Sequence, residues 1–382
     1  MKKKILIITR NLPPLIGGME RLNWHMADEL SKYGETKIIG PKGSAVIKPQ
    51  NVKMSEAPLK PLILFMTVAL FKALWLSLSF RPNIILAGSG LTAPLAWLAG
   101  KVIGAKSAAY LHGLDITVSS KLYQTLWVPF LRRMDTVIVN SSATKQLALD
   151  AGVREEKISL VNPGVKLPLD LPTVEEIQNF IQKYNLENKK IILSVGRLTT
   201  RKGLKEFVEK SLPDITKQEL SAVLIIIGEP PKNSLSAEIQ SKESIEQIAQ
   251  ANGVERHIRF LGKVDERTLA VALHSANVHI FPIREIKNDP EGFGMVAIEA
   301  AAYGLPTVAF ATGGVVDAVA DNQSGYLVKS GDYSMLAAKT IHIIQSDKTR
   351  WQASSLSFAK NFAWHNFGIN ILVCLQQSFE EK

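Results

Sequence analysis

From end to end the chain alternates short β-branched runs with stretches of helical periodicity, and that rhythm commits it to parallel sheets flanked by helices. In the first half strands are expected at 5–9, 37–40, 83–87, 107–111, 136–140 and 158–161. In the second they are expected at 190–195, 222–228, 258–261, 278–281, 307–310 and 325–328. Amphipathic helices lie between them, such as 19–33 closed by Gly34 and 241–251 closed near Gly253. At 382 residues the chain exceeds what one hydrophobic core serves, so two α/β domains are expected. The stretch 165–187, introduced by Pro163 and carrying Pro168 and Pro172 and then a short amphipathic helix, interrupts the rhythm and reads as the linker. The strand-free segment 350–382 should be helical and pack back on the first domain. Two doubly wound halves would then face each other across a cleft, with chemistry in the loops after strands.

With 46% hydrophobic and 21% charged residues the chain has the make-up of a globular enzyme, which excludes disorder or a coiled coil. A single cysteine, Cys374, forbids an intrachain disulfide and a cysteine-based zinc site, and fits a reducing, cytoplasmic compartment. Its plain reading is a small buried hydrophobe. The start Lys2-Lys3-Lys4 followed by four apolar residues mimics a signal peptide, but the run ends at Thr9-Arg10 and reads as a first strand. A formal net charge of +10 favours polyanionic partners, phosphorylated substrates and anionic lipid among them. Zinc-finger spacing, aromatic RNA-binding patterns and long basic blocks are missing, so nucleic acid is disfavoured. The apolar stretch 59–80 is long enough to span a bilayer. Pro61 and Lys72 weaken a span, which leaves a crossover helix, buried or partly exposed, and an interfacial membrane helix.

Four motifs carry chemistry. After the first expected strand, Asn11-Leu12-Pro13-Pro14-Leu15-Ile16-Gly17-Gly18 leads straight into a helix, and a Gly-Gly pair there permits close backbone approach to an anion. A plain turn is the alternative. Neither G-x-G-x-x-G nor G-x-x-x-x-G-K-[ST] occurs, which disfavours a nicotinamide enzyme and a P-loop NTPase. The second half opens with Gly196-Arg197-Leu198-Thr199-Thr200-Arg201-Lys202-Gly203, in which Arg197 and Lys202 could converge on a pyrophosphate; a solvated basic loop is the alternative. Glu291-Gly292-Phe293-Gly294-Met295-Val296 then runs on to Glu299, an E-x7-E pair with glycines at a loop-to-helix junction. Glu291 would project from the loop and Glu299 from two turns into an otherwise apolar helix, where a lone carboxylate needs a polar partner such as a ribose diol. His112 in Leu111-His112-Gly113-Leu114-Asp115 ends a strand, and a structural histidine is its alternative.

Together these motifs resemble glycosyltransferase family 4, retaining enzymes of the GT-B fold with two Rossmann-like domains, over nearly the whole length. The N-x-P-P-x-I-G-G opening is similar to that of bacterial enzymes that mannosylate phosphatidylinositol mannosides, and cell-surface polysaccharide and lipopolysaccharide transferases share the pattern. The resemblance implies an acceptor-side domain over 1–166, completed by a helix at about 360–382, and a donor domain over 167–359. It places Gly17 and Gly18 at donor phosphates and acceptor, Arg197 and Lys202 at the pyrophosphate, and Glu291 at the sugar hydroxyls. It also lays the Gly292–Val296 amides along sugar and phosphate, Glu299 at the ribose and His112 beside the transferred sugar.

Charge developing on the leaving β-phosphate would be met by Arg197, Lys202 and helix-terminus amides, so no metal and no further cofactor is expected beside the UDP- or GDP-linked sugar. The implied route is front-side attack through an oxocarbenium-like state, with a donor phosphate oxygen taking the proton. The expected acceptor is a lipid-linked or cell-envelope glycan, met by a peripheral enzyme on the inner face of the membrane. A soluble acceptor, or a nucleotide-sugar-binding protein without catalysis, are the alternatives.

Overall fold

The computed structural model describes residues 3–231 and 239–380. The chain divides into two compact units, Met1–Gly164 with Ala363–Lys382, and Val165–Phe362.

The first unit is built on a parallel sheet of seven strands: β1 (Lys3–Ile8), β2 (Gly34–Pro41), β3 (Lys53–Ala57), β4 (Ile84–Ala87), β5 (Lys106–Leu111), β6 (Thr136–Val139) and β7 (Ile158–Leu160). Their order is β3-β2-β1-β4-β5-β6-β7. Helices cover both faces, so the central strands are apolar throughout; Ile5, Leu6, Ile7 and Ile8 are all fully buried. The second unit has six parallel strands: β8 (Lys190–Val195), β9 (Ala222–Ile227), β10 (Ile258–Gly262), β11 (Val278–Phe281), β12 (Thr307–Phe310) and β13 (Gly325–Val328), ordered β10-β9-β8-β11-β12-β13. Strand order reverses between β1 and β4 in one unit and between β8 and β11 in the other. Beyond the carboxyl ends of those pairs a doubly wound sheet opens a crevice, and that is where the motif loops emerge.

The sequence reading missed β3. Its Lys-Met-Ser-Glu-Ala run buries only Ala57, because a strand at the sheet edge needs no apolar run to be held by its neighbour β2. Gly34 does not close the first helix as a left-handed cap. It has extended backbone and begins β2, and a Cβ there would stand 2.5 Å from Lys3 O. Close strand approach, not turn geometry, requires this glycine.

The short amphipathic helix expected within 165–187 is present and docks on the second unit. Thr173 and Glu176 form a capping box for the helix Val174–Lys183, whose Phe180 is buried in the second unit's core. Arg267 pins that helix with two 2.5 Å contacts to the Glu176 carboxylate. The final helix, Trp364–Glu380, packs on α1 (Gly18–Tyr33) in the first unit. His25 stacks on Trp364 at 4.0 Å, and Gly368 lies so close to α1 that a Cβ would come within 2.5 Å of the Glu29 Cβ.

The apolar segment forms α2 (Leu62–Phe80), which lies against α3 (Ala93–Ile103). Among the described residues it is the one helix long and apolar enough to cross a membrane. One stripe, Phe65, Ala69, Ala73 and Leu76, belongs to the first unit's core. The opposite face shows Ile63, Phe71 and Trp75 to solvent at 74%, 72% and 65% exposure. Two residues of the apolar stretch do not lie on this outward face. Phe65 is fully buried, and Lys72 turns inward to donate from Nζ to Glu56 O at 2.6 Å.

Candidate active site

In the first unit the site grows from the loops after β1, β4 and β5. Gly17 and Gly18 are exposed at the start of α1, and Gly17 is the N-cap without a side-chain bond. The side chain of Glu20, in the first turn of the helix, lies close to this loop: its Oε1 accepts from Asn11 Nδ2 at 2.8 Å, and a Cβ on Gly17 would run into its Oε2. Asn23, fully buried on α1, donates to Thr9 Oγ1 and Asn11 O, both at 3.1 Å, and so fixes the loop after β1.

His112 follows β5 and is buried, with Nε2 3.0 Å from Gly88 O in the loop after β4. A carbonyl can only accept, so Nε2 carries a proton and donates to it, which leaves Nδ1 as the ring nitrogen that points to other partners. Asp115 sets this arrangement. Its Oδ1 accepts from His112 N at 2.9 Å and its Oδ2 from Gly90 N at 2.8 Å, which ties two loops to one buried carboxylate. Tyr123 Oη closes the knot on Asp115 O at 2.8 Å, and burial, reinforced by Asp115, pushes its phenol upward.

In the second unit β8 runs into Gly196 and a short 3-10 turn, Thr200–Lys202. Lys202 is largely buried, with Nζ 2.8 Å from Glu291 Oε2 and 4.6 Å from the Phe281 ring centre. The neighbouring Arg201 is buried as well, and its Nη1 donates to the same Glu291 Oε2. Its Nε lies 3.3 Å from Asp289 Oδ1, near enough for an ion pair though not aligned as a hydrogen bond. Burial opposes ionisation of Glu291, but Lys202 and Arg201 together outweigh it and hold the carboxyl down to about 2. Burial lowers the Lys202 ammonium against the pull of Glu291. Arg197 is exposed on the same loop, so the two cations expected to converge are disposed differently: Lys202 faces Glu291 and Arg197 faces solvent.

Glycines shape this loop cluster where backbones cross. Gly228, at φ 140 after β9, sits so close to Gly196 that a Cβ would overlap Gly196 O, and a Cβ on Gly203 would overlap Pro282 O. Gly313, at φ 55, and Gly314 brace the Glu291–Gly292 segment; Gly314 N donates to Glu291 O at 2.8 Å. Phe293 and Gly294 are buried, and Gly294, at φ 98, caps the helix Met295–Ala302, leaving the amides of Met295 and Val296 at its open end. Glu299 lies further along that helix and is half-buried. The fold therefore brings Arg201, Lys202, Glu291 and the Met295–Ala302 terminus together in one unit, and Gly17, Gly18 and His112 in the other. Asp115, Arg201, Asp289 and the Gly313-Gly314 pair escaped the sequence reading. A second Gly-Gly after an apolar strand was the one signal that could have flagged any of them.

The two Rossmann-like sheets compose the GT-B fold, and the class of protein that this fold and these loops define is a glycosyltransferase. Glycosyltransferase Family 4 matches residues 16–168, and Glycosyl transferases group 1 matches residues 176–355. The chain belongs to this family of nucleotide-sugar-dependent transferases. It is 24% identical over 337 residues to the GDP-mannose-dependent alpha-(1-6)-phosphatidylinositol monomannoside mannosyltransferase of Mycolicibacterium smegmatis, covering 86% of each chain. With the D-inositol 3-phosphate glycosyltransferase of Mycobacterium marinum it shares 30% identity, over 61% of this chain and only 48% of that one. Among solved structures, Anabaena HepE in complex with UDP superposes with a TM-score of 0.80 at 18% identity, over 98% of this chain and 100% of its own. A glycosyltransferase of Rickettsia africae gives 0.80 at 20% identity over the whole of both chains. At these identities the structural likeness is one of fold.

Proposed function

We propose that the protein transfers a sugar, with retention of configuration, from a UDP- or GDP-linked donor to a lipid-linked or cell-envelope glycan, working peripherally on the cytoplasmic face of a membrane. The observation that carries the donor half is the ionised Glu291 beside Lys202 and the open amides of the Met295–Ala302 helix. A carboxylate fixed as an acceptor suits sugar hydroxyls, and a cation with helix-terminus amides suits the diphosphate. Arg197, free to swing in from solvent, supplies the second charge. As the glycosidic bond to the leaving phosphate breaks, negative charge grows on the β-phosphate oxygen and these groups stabilise it. The acceptor hydroxyl attacks the face being vacated, and its proton passes to a donor phosphate oxygen. His112, with Nδ1 as acceptor, receives a hydroxyl of the transferred sugar. The GDP-mannose-dependent relative and the UDP-bound neighbour support the two nucleotides as candidates.

A thermal-shift screen of UDP, GDP and ADP with their sugars, run in EDTA, tests this half. One nucleotide should raise the unfolding temperature, because a ligand bound only to the folded state stabilises it, and chelation should not remove the effect or the activity. Loss of turnover in EDTA with recovery on adding Mg or Mn would assign the leaving group to a metal instead.

The acceptor half rests on α2, whose outward face of Ile63, Phe71 and Trp75 is apolar, and on the net charge of +10. Each apolar side chain sunk into the interface contributes up to about 1.5–3 kcal/mol. Each lysine near an anionic surface, with Lys60 exposed beside the helix, adds about 1 kcal/mol. Binding to phosphatidylglycerol-containing vesicles should fall as salt rises, and Phe71→Ser with Trp75→Ser should weaken it even at low salt. A fully active enzyme that ignores such vesicles at low salt would redirect the acceptor to a water-soluble molecule.

A further inference from the structure

We propose that Arg201 is a positioning residue for the transfer: it keeps hold of the Glu291 carboxylate while Lys202 leaves that carboxylate for the diphosphate of the donor. The inference rests on the donor reading above and adds a residue to it. Two cations share a single carboxylate oxygen, Glu291 Oε2, and they are not equivalent. Arg201 lies between Glu291 and Asp289, two acids of one loop, and its own carbonyl accepts from Arg284 N at 2.8 Å at that loop's start. Gly203 is wedged against Pro282 O just beyond it. The guanidinium is thus held between two acids, on a backbone segment that is itself braced. Lys202 is joined to Glu291 by one contact of a flexible stem whose ammonium stands over the Phe281 ring, so it can exchange partners.

In the nucleotide-free protein Arg201 and Lys202 stand against Asp289 and Glu291, and the nearby Arg197 adds a further positive charge that acts on Lys202. An arriving diphosphate is a stronger partner for Lys202 than a shared carboxylate oxygen. If Lys202 were the sole partner of Glu291, its departure would strand a largely buried carboxylate, and that cost would be charged against donor binding. Arg201 removes the conflict. It also leaves Glu291 ionised and oriented to accept from the sugar.

Calorimetric titration of UDP and GDP into the full chain tests this, with Arg201→Gln, Arg201→Lys, Glu291→Gln and the Arg201→Gln/Glu291→Gln pair, each checked for cooperative unfolding. Arg201→Gln should weaken the nucleotide that the wild type binds by about tenfold, the loss of one charge-assisted interaction. Arg201→Lys should restore part of it. The loss should vanish in the Glu291→Gln background, where no carboxylate detains Lys202. Affinity of Arg201→Gln should also recover, relative to wild type, as pH falls from about 6 to about 4, because Glu291 then titrates nearer the ordinary carboxylate range and releases Lys202. Wild-type affinity in Arg201→Gln at every pH, or a loss undiminished beside Glu291→Gln, overturns the proposal. If Arg201→Gln does not fold, Arg201→Lys takes its place, and the same two outcomes decide. Failure of the wild type itself to bind UDP or GDP would sink the donor reading and this inference with it.

Discussion

Glu291→Ala should lower sugar transfer by about a hundredfold, a loss typical of removing one preorganised electrostatic group, while weakening nucleotide affinity far less. In the proposed donor complex the carboxylate accepts from the sugar, and the groups proposed to hold the diphosphate, Arg197, Lys202 and the helix amides, remain. The same substitution should also destabilise the second unit by about 3–5 kcal/mol, because it leaves Arg201 and Lys202 largely buried without the acid that both contact. The pH dependence separates the two effects. Glu291 titrates at about 2 in the fold against 4.5 ordinarily, so the unfolded chain binds the proton more readily than the native one. A depressed carboxylate contributes stability that is fully present above its unfolded value and drains away as pH falls through the native value. The gap in urea midpoint between wild type and Glu291→Ala should therefore be widest near neutrality and narrow between about pH 4.5 and about pH 2. A gap independent of pH over that window would show that the substitution acts through packing, not through charge.

How much of this was legible beforehand divides along a physical line. Buried parallel strands announce themselves as apolar runs, so twelve of the strands followed from pattern alone, whereas their order in each sheet did not. β3 did not, because an edge strand of Lys53, Met54, Ser55, Glu56 and Ala57 carries no such run. Motif spacing marked Lys202 and Glu291, but their direct bond joins positions 89 apart, and the Arg201 contact spans 90, which no local pattern encodes. Within α2 the composition was readable and the face was not. A helix apolar all round gives no periodicity from which to tell that Phe65 turns inward and Phe71 outward. Glycines divide in the same way: Gly17-Gly18 stood out as a pair in a motif, whereas Gly228 is required only because another backbone crosses it.

Gly228→Ala should be among the most disruptive single-methyl changes in the second unit. At φ 140 an L side chain is strained by about 1–3 kcal/mol wherever it sits. Here the added Cβ would also overlap the Gly196 carbonyl, a rigid backbone group held by the bond from Gly196 N to Ile227 O at 2.9 Å. Neither partner can rotate away, so the loops after β8 and β9 must separate, and the loop after β8 is the one that delivers Arg197, Arg201 and Lys202. Stability and nucleotide binding should fall together. Gly253→Ala is the matched control: it lies in the same unit at φ 68 with nothing within 4 Å of the new Cβ, so it should cost only about 1–2 kcal/mol of backbone strain and leave UDP and GDP titrations unchanged. Urea unfolding and calorimetry on both variants measure the difference. Equal loss of stability in the two, with nucleotide affinity intact in Gly228→Ala, would mean that the crossing of Gly228 over Gly196 does not hold the cationic loop in place.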